Sequence, residues 1–223
     1  MQHFLQHREQ SVPVIDPANG RDHNLYFMHI NKTAGMSVMR WFRECGYPPI
    51  SEGHTIVEDF DPAIFYFTIV RNPYDRLASC FFQMNGKGAG DGIPFLKPGV
   101  ELNDFISTLG KDPRGVRELF EPRQLRHYDP GWMPYDGFQM TQPCSYWIKD
   151  LSRFKIFKFE ELHCIQEFFQ NHGFKFSKNL KDVKEERSTT KQLSSYKHLY
   201  TKDNIKIIQK LCEDDFRLFG YEE

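Results

Sequence analysis

The sequence holds no Cys-x-x-Cys pair, no excess of either charge and no long apolar run, and each absence removes a class of function. Its five cysteines, Cys45, Cys80, Cys144, Cys164 and Cys212, are odd in number and widely spaced. That argues against a thiolate zinc site or a dithiol redox centre, and reads as free buried thiols in a reducing compartment. With 29 Lys and Arg against 30 Asp and Glu, the net charge is −1, which argues against a general nucleic-acid binder. Any anion site must then be local. The first 23 residues lack the continuous apolar segment of a signal peptide, and no stretch reaches the roughly 18 apolar residues of a membrane span. A soluble, cytoplasmic protein without a membrane span is expected.

What is present is enough for a core: 223 residues, 39% apolar and 15% aromatic, with 21 phenylalanines. One α/β domain over 24–223 is expected, preceded by a polar arm over 1–23 that carries Pro13, Pro17 and Gly20. "NLYFMHI" (24–30) and "AIFYFTIV" (63–70) read as strands buried on both faces. A turn at 31–35 leads from the first into a helix with Val38, Phe42 and Cys45 on one face, stopped by Gly46 and the Pro48-Pro49 pair. After the second strand, Asn72 is placed to cap a helix and Pro73 to open it, with Leu77, Phe81 and Met84 as its apolar stripe.

A glycine-rich loop (85–99), a helix at "ELNDFISTL" and an irregular region (121–143) come next. "RFKIFKFEEL" (153–162) reads as a strand running into a helix that carries Ile165, Phe168, Phe169 and His172. A polar loop (181–192) precedes one final helix, with Ile205, Ile208, Cys212, Phe216 and Phe219 on one face and Gly220 at its end. Strands alternating with helices imply a mainly parallel central sheet flanked by helices, which binds ligands beyond the carboxyl ends of its strands.

Two strand-to-helix turns lie at such ends. The first brings together helix N-terminal amides, the Lys32 ammonium and the Ser37 hydroxyl, a set suited to an oxyanion. It is not the nucleotide-triphosphate loop G-x-x-x-x-G-K-[ST], because Tyr26 and Asn31 stand where that pattern needs glycine. The second strand ends in Arg71, where a magnesium phosphotransferase usually places an aspartate. Arg71, with Ser79 two helical turns on, suits a second phosphate. The ligand read from these turns has two separated anionic groups and needs no metal.

These residues resemble the sulfotransferases that use 3′-phosphoadenosine 5′-phosphosulfate (PAPS). "HINKTAGMS" is similar to their 5′-phosphosulfate loop, commonly PKTGGTS, and "VRNPYDRLASCFF" to their 3′-phosphate motif R-x-P-x-x-R-x-x-S, with Arg71, Pro73, Arg76 and Ser79 in register. "FKFEEL" and "DDFRLFGY" resemble closing segments of the carbohydrate branch, so the likeness spans about 24–221. Asn31, Ala34 and Met36 replace the family's Pro, first Gly and Thr, which removes one hydroxyl donor.

The resemblance implies a phosphate-loop sulfotransferase fold and a cofactor site of Lys32, Thr33, Ala34, Gly35, Met36, Ser37, Arg71, Arg76 and Ser79. "ERSTTKQ" (186–192) resembles the family's nucleotide-covering loop and adds Arg187, Ser188 and Lys191. The implied reaction moves a sulfuryl group in line from PAPS to a hydroxyl of a carbohydrate or small alcohol, leaving 3′-phosphoadenosine 5′-phosphate (PAP). Lys32 would stabilise the leaving phosphate. The acceptor needs a base. His54 follows Gly53 as in the Gly-His of some glycan O-sulfotransferases, while Glu52, Glu58 and Asp59 are the carboxylate alternatives.

Other assignments stay open. Arg76 has two readings, a phosphate contact or a carboxylate pair. His29 is read as packing at the strand end, with orienting Lys32 or the cofactor as the alternative. Trp132, Tyr135, Phe138 and Trp147 read as core or as an acceptor wall. The competing functions are a magnesium-dependent small-molecule or nucleoside kinase and a silent nucleotide-binding module.

Overall fold

The computed structural model describes residues 24–86, 96–120, 138–183 and 196–223. The arm over 1–23, Trp132, Tyr135, Arg187, Ser188 and Lys191 lie outside the described residues, as does the side chain of Phe138. The chain forms β1 (Leu25–Met28), α1 (Gly35–Glu44), β2 (Phe65–Val70), α2 (Pro73–Met84), α3 (Leu102–Lys111), α4 (Phe138–Thr141), α5 (Cys144–Trp147), β3 (Phe154–Lys158), α6 (His163–Asn171), α7 (Lys202–Leu211) and α8 (Glu213–Phe219). It divides into two compact units. One takes Met1–Val70 and Tyr146–Glu185, the other Arg71–Ser145 and Glu186–Glu223.

The first unit is a parallel sheet in the order β1-β2-β3, with Leu25 opposite Phe65 and Tyr66 opposite Phe154. Every residue of β1 and β2 is buried, which is why both read as unbroken apolar runs instead of alternating ones. β1 stops at Met28 because residues 29–31 leave the ladder to begin the turn. Its outer edge is met by Ile50: Phe27 N donates to Ile50 O at 2.9 Å and Ile50 N to Leu25 O at 2.8 Å.

α1 buries Val38, Trp41 and Phe42 against the sheet, while the expected Cys45 is only partly buried at the helix end. Phe42 meets Phe169 of α6 edge to face at 5.1 Å, a favoured aromatic geometry. β3 is shorter than the 153–162 expected. It pairs with β2 through Lys158 and gives way to a 3-10 turn at Phe159–Glu161 before α6.

The second unit is helical. α2 begins as its sequence dictates, with the Asn72 side chain accepting from Tyr74 N at 3.0 Å and Pro73 opening the helix. Leu77, Phe81 and Met84 pack with Phe105 and Ile106 of α3, and with Ile208 and Phe216 of α7 and α8. The single final helix expected is two, broken at Cys212 with φ −115°. The break lets Glu213, Asp214 and Asp215 occupy the first turn of α8, where carboxylates are stabilised by the helix dipole. Gly220 ends α8 in the left-handed conformation, as expected. All five cysteines are free; Cys80, Cys144 and Cys212 are buried, and Cys45 and Cys164 half-buried.

Candidate active site

β1 delivers the chain to a turn that two residues take through the left-handed region, Lys32 (φ 65°) and Ala34 (φ 68°). A non-glycine residue there costs about 1–2 kcal/mol, and such strain is typical of ligand-gripping turns. Ala34 is the N-cap of α1 and supplies no side-chain cap, and the first turn of the helix carries no carboxylate. The positive end of the helix dipole is therefore not offset by an acidic side chain. Lys32 and Ser37 are half-buried around this end, and Met36 is 56% exposed. Thr33 is turned inward: its hydroxyl donates to Ile30 O at 2.8 Å, which leaves its main chain for any ligand.

The same unit brings His54 to this loop. Gly53 has φ +72°, and a β-carbon on it would meet nothing within 4 Å, so its glycine serves the backbone turn and not space. His54 Nδ1 donates to His29 O at 2.7 Å. Because a carbonyl can only accept, this bond puts the proton on Nδ1 and leaves the lone pair on Nε2. Burial lowers the His54 pKa, with the bond to the His29 carbonyl opposing it. Burial, then the charges of His54 and Lys32, push His29 down to about 3. Both rings are neutral at pH 7.

His29 packs as its sequence position suggests, but against more than the strand end. Its ring lies 4.4 Å from that of His54 and 5.9 Å from that of Phe27, centroid to centroid. A β-carbon on Gly35 would stand 1.8 Å from His29 Cδ2 and 2.1 Å from Nε2. Gly35 is thus the seat of an imidazole, a close approach that one sequence gives no means to foresee. Trp147, 2% exposed, lies 6.5 Å from His54 ring to ring, and its Nε1 has no hydrogen-bond partner among the described residues. Of the carboxylate alternatives, Glu52, Glu58 and Asp59 are all exposed.

In the second unit, Arg71 follows the last residue of β2 and is half-buried, and Ser79 is buried in α2, not facing solvent. Arg76 is fully buried. Its Nη1 donates to Met140 O at 3.2 Å, and its Nη2 to Thr141 O at 3.3 Å and also to Gln142 O. Asp215 accepts from the amides of Cys144 and Ser145, each at 2.7 Å. Burial works against the Arg76 charge, but Cys144, Cys80, Asp215 and Cys212 outweigh it and push its pKa up. Burial likewise drives the Cys144 thiol to about 12, which makes it inert. Arg76 and Asp215 together tie down 140–145, with both Nη atoms of Arg76 on main-chain carbonyls and its Nε without a partner among the described residues. On α2, Arg76 shares a helical face with Pro73 and Cys80, both buried.

Among the described residues, no group of three or more His, Cys, Asp and Glu is placed to hold a metal ion, and no helix is long and apolar enough to cross a membrane. What the first unit assembles is a neutral imidazole with a directed lone pair, a lysine whose charge reaches the neighbouring His29, and an electropositive helix end. Such a set can take a proton from a weak acid and stabilise a nearby oxyanion. No curated protein and no solved structure matches the chain. The model of the Sulfotransferase family does match, over residues 20–222, and the chain belongs to that family.

Proposed function

We propose that the chain transfers the sulfuryl group of PAPS to a hydroxyl of a carbohydrate or small alcohol, with His54 as the base, Lys32 at the leaving phosphate and no metal required. The observation that carries this reading is the bond from His54 Nδ1 to the His29 carbonyl, which leaves Nε2 free of a proton in the same unit as the loop. His54 Nε2 takes the acceptor's proton as the acceptor oxygen forms its bond to sulfur and the bond from sulfur to the phosphate oxygen breaks. Lys32 and the main-chain amides of Ala34, Gly35, Met36 and Ser37 stabilise the charge that grows on that phosphate.

The donor set fits such a group: an ammonium, a helix start without a carboxylate, and a hydroxyl at Ser37. Arg71 and Ser79 are assigned to the 3′-phosphate on the motif they share with the family, and Arg187, Ser188 and Lys191 to nucleotide closure on the same ground. Arg76 is left out, because both of its Nη atoms donate to main-chain carbonyls.

The test is calorimetry with PAP followed by transfer from radiolabelled PAPS to a panel of glycans and small alcohols. PAP binding is expected, with transfer abolished by Lys32→Ala and reduced at least 100-fold by His54→Ala. Absence of PAP binding would overturn the reading. Magnesium-dependent ATP turnover would favour a kinase, and binding without transfer to any acceptor a silent nucleotide module.

A further inference from the structure

We propose that His29 is a positioning residue for the reaction: its imidazole, in contact with both Gly35 at the start of α1 and the ring of His54, fixes the base relative to the phosphosulfate loop. The inference rests on the reading of His54 as the base and adds a residue that acts through it.

Three contacts define the arrangement. Gly35 presents only hydrogen to the His29 ring, since a β-carbon would come within 1.8 Å of it, so the ring and the first turn of α1 cannot shift independently. The same ring lies 4.4 Å from that of His54, centroid to centroid, tilted by 51°. The third contact is Phe27 of β1, fully buried, its ring 5.9 Å away and nearly parallel at 14°.

The carbonyl bond alone does not immobilise His54. It fixes the direction of Nδ1 but permits the ring to roll about the hydrogen-bond axis, which would swing Nε2 away from an acceptor. The ring of His29, 4.4 Å from that of His54, limits that roll from nearer than Trp147, whose ring is 6.5 Å away. A neutral side chain is needed there, because Lys32 approaches from the loop and His54 becomes a cation when it takes the proton. The groups facing His29 are Lys32 and His54, which titrate, and Phe27 and Gly35, which do not. A carboxylate in its place would pair with Lys32 and draw it from the phosphate. A second cation would oppose protonation of His54.

The experiment compares wild type, His54→Ala, His29→Ala and His29→Asn as full chains. For His29→Ala, kcat is expected to fall about 10–100-fold, while KM for PAPS and Kd for PAP stay within about twofold. The acid limb of kcat/KM should move up towards pH 6.5, the ordinary histidine value, as water reaches the His54 ring. His29→Asn, with a flat neutral amide, should fall between the two, and it carries the test if His29→Ala does not fold.

Nitrogen NMR of the His54 imidazole in ligand-free protein gives a readout independent of turnover. The Nδ1–H form is expected in wild type and in both His29 variants, because the carbonyl of residue 29 remains to accept that proton, while the midpoint of the imidazole titration should rise in the variants as water reaches the ring. Unchanged kcat, acid limb and imidazole titration in the folded His29 variants would overturn the inference. Full activity in His54→Ala, or no PAP binding by wild type, would overturn the underlying reading instead.

Discussion

Gly35 and His29 stand closer than any side chain on residue 35 would allow, since its β-carbon would lie 1.8 Å from His29 Cδ2. Gly35→Ala is therefore expected to cost about 1–3 kcal/mol of stability in urea unfolding, by overpacking. The double variant with His29→Ala should recover most of that loss, since the clash goes with the ring. Additive effects in the cycle would mean that Gly35 serves some other purpose.

Backbone strain in the loop predicts two changes of opposite sign. Ala34 holds φ 68°, so Ala34→Gly should raise stability by about 0.5–1 kcal/mol, the relief of a left-handed residue less the added chain entropy of glycine. Gly53 holds φ +72° in open space, so Gly53→Ala should lower stability by about 1 kcal/mol. Chemical denaturation of both variants, with the same slope as wild type, is the check.

Acid should weaken the fold through His29. Its folded pKa of about 3 lies below the ordinary 6.5, so between these values the unfolded chain holds the proton and the folded chain does not. The stability it preserves is complete above pH 6.5 and is lost as pH falls towards 3, about 2 kcal/mol of it by pH 5. His54, also lowered, acts in the same direction. His29→Asn should flatten the stability curve between pH 7 and 5 by about 2 kcal/mol. Parallel curves for variant and wild type would contradict this.

The two arginines of the R-x-P-x-x-R-x-x-S motif should separate cleanly. Arg76→Lys loses the fork that reaches three carbonyls and should cost about 3 kcal/mol or more, while the folded protein keeps its affinity for PAP. Arg71→Ala should do the reverse, weakening PAP binding at least 10-fold with stability changed by less than about 1 kcal/mol. Thermal unfolding and calorimetry on both variants decide the matter.

The sheet was legible because burial on both faces writes itself into β1 and β2 as continuous apolar runs. The start of α2 was legible for a local reason as well, since Asn72 and Pro73 act on the turn they occupy. The break at Cys212 was not, because the apolar stripe runs through it unchanged, and the carboxylate that rewards it, Asp215, is bound by amides 70 and 71 residues away. The site divides in the same way. The chemistry of Lys32 and His54 can be read from residue type and spacing, whereas the contact of His29 with Gly35 and the inward turn of Arg76 depend on partners that only folding brings near.

That distance between Asp215 and the Cys144 amide has a consequence for how the protein is made. At a synthesis rate of roughly 5–20 residues per second, the carboxylate that anchors this segment leaves the ribosome about 4–14 s after the amides it binds. Until then Cys144 and Ser145 wait with their donors in water, so the helical unit cannot be completed before residue 215 has emerged.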